Sequence, residues 1–195
     1  MKVLITGGAG FIGRHLSAKL IAEGYLVTIL DNFSEQIHGK NAKLSEDLLS
    51  DSLKLIRGDI RNKSLVARAI SDAEVIVHLA AETGTGQSMY EIEKYETTNV
   101  IGTINILEYL LQNKNSVKKI IVASSRAIYG EGAYMCNEHG IVYPKDRAEI
   151  DMLNNQFNPR CALCNKFIEP CSTSEFAPLN PLSYYALTKQ MQEQM

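Results

Sequence analysis

The chain has 195 residues, of which 45% are hydrophobic and 22% are charged, and its formal net charge is −2 at pH 7. This length and composition predict a soluble globular domain with a sizeable core, and the near-neutral charge gives no support to binding of nucleic acid or of a membrane surface. No apolar run reaches transmembrane length and the N-terminus lacks the pattern of a signal peptide, so we expect a cytoplasmic protein.

The first predicted elements are a strand over residues 3–5, a glycine turn over 6–10 and a helix that starts at Phe11. A backbone of this kind can approach a pyrophosphate closely and aims a helix N-terminus at it, which predicts a dinucleotide site. The alternative is an ordinary strand-to-helix turn without a ligand. The glycines of the turn and helix start are Gly7, Gly10 and Gly13, and the apolar residues expected on one helical face are Phe11, Ile12, Leu16, Leu20 and Ile21.

The second predicted strand, over 26–30, ends in Asp31. A carboxylate at this strand tip hydrogen-bonds the adenosine ribose hydroxyls and repels a 2′-phosphate, and no arginine follows it directly. The pattern therefore favours NAD over NADP. The alternative is a solvated loop aspartate.

The chain from 32 to 130 alternates between strand and helix patterns. Polar residues 32–43 predict a surface loop, and 44–49 a short helix. Five strands in alternation with helices predict an α/β fold, a doubly wound parallel sheet of order 3-2-1-4-5. The remaining strands are predicted at 53–57, 75–79 and 120–123, and the helices at 62–70, with Asn62 as N-cap, and at 98–112, with an apolar stripe of Val100, Ile104, Leu107 and Leu111 widened by Ile101 and Leu110.

Residues 131–181 break this regularity. The segment holds all four cysteines and all five prolines but no long periodic run, and it is too long for a plain loop in a compact domain. We therefore expect one domain over 1–195 with a structured Cys/Pro-rich insertion at 131–181, followed by a helix that starts near Leu182.

Two pairs within this insertion have the spacing of zinc ligands: Cys136-x2-His139 and Cys161-x2-Cys164. Two such half-sites in a core-poor segment predict a structural zinc knuckle. Cys171 is a possible replacement for His139. The alternative is four unrelated groups, with the cysteines serving as small apolar residues.

Tyr185 and Lys189 lie four residues apart on the last predicted helix, hence on one face. A phenol has a pKa near 10, and a neighbouring ammonium favours the phenolate, so such a tyrosine can remove a proton from a substrate hydroxyl. The alternative is an exposed pair on a surface helix.

These segments together resemble the extended short-chain dehydrogenase/reductases, within them the NAD-dependent nucleotide-sugar epimerase/dehydratase group, and are similar to the UDP-glucose 4-epimerases. The insertion resembles that of a bacterial subgroup, the dTDP-L-rhamnose 4-epimerases, although Leu163 and Asn165 stand where proline and glycine are expected. The segments that carry the resemblance are TGGAGFIG at 6–13, Asp31-Asn32, Gly58-Asp59-Ile60, His78-Leu79-Ala80-Ala81, Asn99-Val100-x-Gly102-Thr103, Ser124-Ser125 before Tyr129-Gly130, and Tyr185-x3-Lys189.

The resemblance implies a role for each matching residue. Ser125 would hydrogen-bond the reacting sugar oxygen, Tyr185 would be the acid/base, and Lys189 would be its partner and hold the nicotinamide ribose. The implied cofactor residues are Gly7, Gly10, Phe11, Ile12 and Gly13 at the pyrophosphate, Asp31 and Asn32 at the adenosine ribose, Asp59 and Ile60 at adenine, and Leu79, Ala80, Ala81, Asn99, Tyr185 and Lys189 along the rest of NAD.

The residues after Ser125 favour one reaction over another. The 4,6-dehydratases resemble this fold but have Asp-Glu there, whereas this chain has Arg126 and Ala127, which form no acid/base pair. We therefore expect 4-epimerisation of a nucleoside-diphosphate sugar: oxidation at C4, rotation of the keto-sugar and return of the hydride. The alternatives are a 4,6-dehydratase and an NAD-binding fragment without turnover. A nucleic-acid-binding zinc ribbon is disfavoured by the net charge.

The family continues beyond the position of Met195 with a sixth strand and a C-terminal sugar-nucleotide domain, so we expect this sequence to be C-terminally truncated and poorly active alone. The family also dimerises through the two helices that we predict at 98–112 and after 182. We therefore expect a homodimer of the full-length protein.

Overall fold

The computed structural model describes residues 1–195 and contains a five-stranded parallel sheet of order β3-β2-β1-β4-β5. This order confirms the predicted fold class. Strands β1 and β2 pair over their whole length, from Lys2 opposite Leu26 to Thr6 opposite Leu30. The strands are β1 (Lys2–Thr6), β2 (Leu26–Asp31), β3 (Leu53–Arg57), β4 (Val75–His78) and β5 (Lys119–Val122).

Helices cover both faces of this sheet, and none of them combines the length and apolar character needed to cross a membrane. A π-helical turn, Glu96–Ile101, joins two of the helices into one segment that begins at Ile92 rather than at the predicted residue 98. The helices are α1 (Phe11–Ala22), α2 (Glu35–His38), α3 (Lys63–Ile70), α4 (Ile92–Tyr95), α5 (Gly102–Gln112), α6 (Glu149–Leu153) and α7 (Tyr184–Gln194).

Successive residues of β1 point to opposite faces of the sheet, and each face has its own core. Leu4 belongs to a cluster of ten buried residues that includes residues of α3 and α5. Val3 and Ile5 belong to a cluster of six, against which Leu16, Leu20 and Ile21 of α1 pack. Strands buried on both faces explain the continuous apolar runs in the sequence. Asn62 caps α3 as predicted, because its side chain accepts from the backbone N–H groups of Ser64 and Leu65.

The predicted apolar stripes of two helices are partly wrong. Phe11 and Ile12 are 83% and 64% exposed, because they lie at the open N-terminal end of α1 and not over the sheet. Leu111 of α5 is 87% exposed, while Thr103 and Asn105 are buried. The π-helical turn before α5 changes the rotation per residue. The side chains after it therefore do not lie on the helical face that a regular α-helix from Val100 predicts.

Two predicted boundaries near the second strand also differ. The surface loop predicted at 32–43 contains the short helix α2, and the helix predicted at 44–49 is a single 3₁₀ turn, Glu46–Leu48. Neither segment has a periodic apolar pattern, and α2 buries none of its residues.

The insertion forms a small antiparallel sheet of order β7-β6-β8. Its strands are β6 (Tyr134–Cys136), β7 (Gly140–Val142) and β8 (Glu169–Pro170). Cys136 and Cys161 are buried there together with Tyr134 and Ile168, and Cys164 packs against them. Backbone hydrogen bonds connect the beginning and the end of the insertion. The Cys171 N–H donates to the Ala133 carbonyl, and the Asn180 N–H donates to the Ile128 carbonyl.

Candidate functional site

A cleft of about 340 Å³ opens at the carboxyl ends of β1, β2 and β4, where ligands bind in open α/β sheets. Most of the residues predicted to contact a dinucleotide line it. These are Gly7, Gly10, Phe11, Ile12, Gly13, Asp31, Asn32, Ile60, Leu79, Ala80 and Ala81.

The glycine turn and the start of α1 line this cleft, and Gly7 and Gly13 there have no room for a side chain. A Cβ on Gly7 would lie 2.8 Å from the Ala80 nitrogen, and the φ of Gly7 is +68°. A Cβ on Gly13 would lie 2.5 Å from the Gly7 carbonyl oxygen. Only glycine allows strand, turn and helix to approach this closely. Gly10, the N-cap of α1, supplies no side-chain cap, so the first N–H groups of the helix remain available to an anion.

Asp31 is fixed against this turn. One carboxylate oxygen accepts from the Ala9 N–H at 3.0 Å, and the other accepts from the Phe33 N–H at 2.8 Å. His38 Nε2 lies 3.5 Å from the second oxygen. The carboxylate is therefore held at the cleft in one orientation, which contradicts the alternative of a solvated loop aspartate. His38 lines the cleft and was missed from the sequence, because the four-residue helix that carries it has no periodicity.

Asp59 is predicted at adenine but does not line the cleft. Its carboxylate pairs with the Arg61 guanidinium, with nitrogen–oxygen distances of 2.8 Å, and accepts from Asn32 Nδ2 at 3.1 Å. These hydrogen bonds, above all those from Arg61, lower the pKa of Asp59 to about 2. Asp59 therefore reaches the cleft through Asn32, which is a lining residue.

Asn99 is also away from the cleft surface, since it is fully buried. Its Oδ1 accepts from the Glu82 N–H at 2.8 Å, and its Nδ2 donates to the Glu82 carbonyl and to Thr188 Oγ1, both at 3.0 Å. Glu82 lines the cleft and Thr188 belongs to α7. Asn99 therefore ties the wall of the cleft to the helix that carries Tyr185 and Lys189.

Tyr185 and Lys189 are buried, so the alternative of an exposed surface pair is wrong. Ser183 caps α7, and the Tyr185 N–H donates to Ser88 Oγ at 3.0 Å. Lys189 is 3% exposed, and its Nζ donates to the Ala123 carbonyl at 2.8 Å, just beyond β5. Burial lowers the pKa of Lys189 to about 8. Neither residue lines the cleft described above.

Ser125 lies two residues beyond Ala123 and is partly buried. Its Oγ accepts from the Ala127 N–H at 3.2 Å and so starts a 3₁₀ turn, Arg126–Tyr129. Arg126 Nη2 donates to the Gly130 carbonyl at 2.7 Å. The two residues after Ser125 thus serve the turn and offer no acid/base pair.

A neutral histidine connects α7 to the sheet. Burial, and then the charge of Lys189, lower the pKa of His78 to about 3. Its Nδ1 lies 2.6 Å from Thr6 Oγ1 and its Nε2 lies 2.9 Å from Thr103 Oγ1, which also accepts from Gln192 Nε2 at 2.7 Å. Thr103 donates its own hydroxyl proton to a backbone carbonyl, so the arrangement requires the Nε2–H tautomer of His78.

The four predicted metal ligands of the insertion come together. The ligand atoms of Cys136, His139, Cys161 and Cys164 all lie within 4.8 Å of one another. Sγ of Cys136 lies 3.5 Å from His139 Nδ1 and 3.7 Å from Sγ of Cys164. Sulfur ligands around tetrahedral zinc are about 3.8 Å apart, so the spacing fits this metal. Cys171 lies outside the cluster, which excludes it as the replacement for His139.

Local backbone geometry also suits a metal knuckle. Asn165 has a φ of +59°, and its N–H donates to the Cys161 carbonyl at 2.8 Å, so asparagine takes the left-handed position that glycine would otherwise occupy. A backbone hydrogen bond from Glu138 is the main cause that lowers the pKa of the Cys136 thiol to about 6. A thiolate is the form of cysteine that binds metal.

Comparison with known proteins agrees with this geometry. The model of the NAD dependent epimerase/dehydratase family matches residues 3–147. A dTDP-L-rhamnose 4-epimerase from Burkholderia thailandensis is 35% identical over 196 aligned residues, which cover 98% of this chain and 52% of the relative. A UDP-N-acetyl-alpha-D-glucosaminuronate decarboxylase from Bacillus cytotoxicus is 40% identical over 131 residues, which cover 67% of this chain and 38% of the relative.

Among solved structures, the UDP-glucose 4-epimerase from Bifidobacterium longum in complex with NAD+ and UDP superimposes with a TM-score of 0.66 and 26% identity. The match covers 100% of this chain and 47% of that one. The chain thus spans about half the length of the curated rhamnose epimerase that it matches. Together, the family match, the parallel sheet and the glycine turn place this chain in the NAD dependent epimerase/dehydratase family.

Proposed function

We propose that this chain is the cofactor-binding part of an NAD-dependent nucleotide-sugar 4-epimerase. The observation that carries the proposal is the buried Tyr185–Lys189 pair on α7, anchored near the strand tip that leads into Ser125. The cleft beside β1 supplies the glycine turn and Asp31 for a dinucleotide without a 2′-phosphate. When bound, NAD would accept a hydride from C4 of the sugar and return it.

The side chains of this chain would handle the proton that accompanies the hydride. Ser125 would hydrogen-bond the sugar oxygen at C4, and Tyr185 would take the proton of that hydroxyl as general base and return it as general acid. The ammonium of Lys189 would favour the tyrosinate, because a nearby positive charge stabilises the charged phenol. The substrate class is a nucleoside-diphosphate sugar, and the similarity to a dTDP-L-rhamnose 4-epimerase, which extends through the insertion, favours a deoxythymidine nucleotide.

Elimination chemistry is the second candidate, since the family also contains dehydratases. The Arg126 and Ala127 side chains do not support it, because neither can move a proton and the Arg126 guanidinium bonds a backbone carbonyl. The third candidate is an NAD-binding protein without turnover. It would bind NAD but convert no sugar nucleotide, even when joined to the remaining length of its relatives.

Cofactor choice is tested on the chain itself by isothermal titration with NAD and NADP. We expect NAD to bind more tightly, because the fixed Asp31 carboxylate repels a 2′-phosphate. Equal or tighter binding of NADP would contradict the role of Asp31.

The chemistry is tested by turnover of UDP- and dTDP-sugars. The chain alone should be poorly active, because positioning of the substrate contributes roughly 7–11 kcal/mol of barrier lowering and the relatives are about twice as long. Joined to the C-terminal half of such a relative, the protein should be active, and Tyr185→Phe should lower its turnover at least about 100-fold. Unchanged affinity for the sugar nucleotide is the control, and full activity of the Tyr185→Phe protein would contradict the mechanism.

We also propose that Cys136, His139, Cys161 and Cys164 hold a structural zinc ion. The donors fit, since three thiols and an imidazole form a common tetrahedral zinc set. Four protein ligands leave no open coordination position, so we assign the metal to folding rather than to the reaction. We propose a cytoplasmic location, because a reducing compartment keeps cysteines available as metal ligands.

A homodimer is the proposed assembly of the complete protein. Exposed apolar side chains lie on the two helical segments expected at the interface: Ile101 at the end of the π-helical turn, Leu111 of α5 and Leu187 of α7. Sedimentation should show a dimer that Leu111→Glu dissociates, whereas an unchanged dimer would assign the interface elsewhere.

A further inference from the structure

Two segments that follow different strands of the sheet are joined by a reciprocal pair of side-chain amides. Gln36 Nε2 donates to Gln87 Oε1 at 2.7 Å, and Gln87 Nε2 donates to Gln36 Oε1 at 3.2 Å. Gln36 lies on α2, after β2, and Gln87 begins a 3₁₀ turn, Gln87–Met89, after β4. The two residues are 51 positions apart, so their pairing is a tertiary contact.

The position of this pair follows from the strand order. β2 and β4 are the two neighbours of β1 in the sheet. A bond between the segments that follow them therefore joins the two sides of the sheet edge that flank β1, although neither glutamine itself lines the cleft. Residues on both sides line the cleft: Ser34, Ile37 and His38 near Gln36, and Glu82 and Thr83 before Gln87.

Further polar contacts hold the pair in place. Lys94 Nζ donates to Gln36 Oε1 at 2.9 Å and lies 3.3 Å from a carboxylate oxygen of Glu82. Gln87 Nε2 also donates to Glu91 Oε1 at 2.9 Å. In these contacts both amide oxygens accept and both amide nitrogens donate, which fixes the orientation of the two side chains.

The two sides of the bridge differ in how firmly they are anchored. On the side of Gln87, the buried Ser88 hydroxyl donates to the Thr85 carbonyl, and the Tyr95 hydroxyl donates to the Gly84 carbonyl at 2.7 Å. On the side of Gln36, helix α2 has no buried residue. If the bridge opens, the segment with fewer buried contacts is the one that moves.

We propose that Gln36 and Gln87 form a clasp over the dinucleotide cleft that slows release of the bound cofactor. This inference rests on the proposed function for the identity of the ligand. An epimerase that oxidises and then reduces the same sugar needs no exchange of NAD between turnovers. A side-chain bridge that must open before the cofactor leaves lengthens its residence without a direct contact to it.

The test measures dissociation of NADH from the 195-residue chain. Bound NADH is chased with excess NAD in a stopped-flow instrument, and the change in NADH fluorescence is recorded over time. The chain has no tryptophan that would contribute to this signal. Gln36→Ala and Gln87→Ala should each release NADH about fivefold faster, the effect of roughly 1 kcal/mol for a lost hydrogen bond. The double variant should be no faster than either single one, because each substitution already breaks the same bridge. Gln112→Ala, at the exposed end of α5, is the matched control and should leave the rate unchanged.

The outcomes separate the clasp from the proposed function. Saturable NADH binding with unchanged release in the Gln36 and Gln87 variants would overturn the clasp alone. Additive effects of the two substitutions would also overturn it, because they would indicate independent contacts. Failure of the chain to bind either NAD or NADH would overturn the proposed function together with the clasp.

Discussion

Two regions of the molecule differ in how much apolar surface they bury: the sheet region, residues 1–130 with α7, and the insertion, residues 131–181. In the sheet region, clusters of ten and six buried apolar residues cover the two faces of a parallel sheet. The insertion buries four residues in its cluster, and two of these are cysteines. Burial of apolar surface can stabilise the first region, whereas the second buries less of it and would depend on the proposed zinc ligands. The two regions should therefore respond to different perturbations.

The largest effect is expected from removal of the proposed zinc ion. Cys161→Ser takes away a buried ligand of the cluster, and a structural zinc site contributes on the order of 10 kcal/mol to folding. We expect zinc content to fall to background and amide exchange to accelerate throughout 131–170, while the sheet region stays protected. Metal analysis and hydrogen exchange measure the two effects.

Cys171→Ser is the matched control for this experiment, because Cys171 lies outside the cluster. It should keep the zinc and the exchange protection of the insertion. Protein that is purified without metal and still protects 131–170 would show that the insertion folds on its apolar contacts alone.

The second prediction perturbs the core of the sheet region and leaves the insertion unchanged. Ile76 on β4 is fully buried in the ten-residue cluster, and Ile76→Ala should lower the free energy of unfolding of the sheet region by about 2–5 kcal/mol. Zinc content should not change. Chemical denaturation followed by far-UV circular dichroism gives the first value, and loss of zinc from folded Ile76→Ala protein would contradict the separation of the two regions.

The difference between the two regions also explains which features of each could be predicted from the sequence. In the sheet region, periodic apolar residues and the glycine turn define the strands, their order and the side of the sheet that carries the cleft. The pattern fails where polar contacts decide burial, as at Thr103 and Asn105, which are buried because they bond His78 and the Ile60 carbonyl. Periodicity contains no information on such partners.

In the insertion, periodicity is absent and ligand spacing is informative instead. The spacing of the cysteines and His139 predicts the cluster. It leaves Cys171 open as an alternative ligand, because spacing along the chain does not show which residues are close in space. Similarly, Asp59 and Asn99 are predicted to contact the cofactor, but they bond Asn32 and Glu82 and do not line the cleft. Their sequence motifs mark the place and not the contact.

A third prediction concerns a buried charge of the sheet region. In the sheet region, Lys189 is held by a backbone carbonyl, and its pKa is lowered from 10.5 to about 8. Since the folded state loses this proton first, the free energy of unfolding should rise with pH between about 8 and 10.5. Lys189→Met should remove this rise. At pH 7 the loss of the buried charge should stabilise the fold by up to about 3 kcal/mol, and the loss of the hydrogen bond to Ala123 should offset about 1 kcal/mol of that gain.

Urea unfolding at pH 7 and pH 9.5 measures this effect as the difference between variant and parent. The exposed Lys114 provides the control, and Lys114→Met should leave the difference near zero at both pH values. A stability of Lys189→Met that is lower than that of the parent at pH 7 would show that the ammonium stabilises the fold.

The smallest expected effect compares the start of one helix in each region. The Asn62 side chain caps α3 by accepting from two backbone N–H groups, at 3.1 and 3.2 Å, and Asn62→Ala should lower the free energy of unfolding of the sheet region by about 1 kcal/mol. Helix α6 in the insertion starts at Ala148, which has no capping side chain. Ala148→Asn should therefore slow amide exchange within 149–153, while the unfolding midpoint of the sheet region stays the same. A shift of that midpoint by Ala148→Asn would mean that the two regions unfold as one cooperative unit, and zinc would then stabilise the cofactor site as well as the insertion.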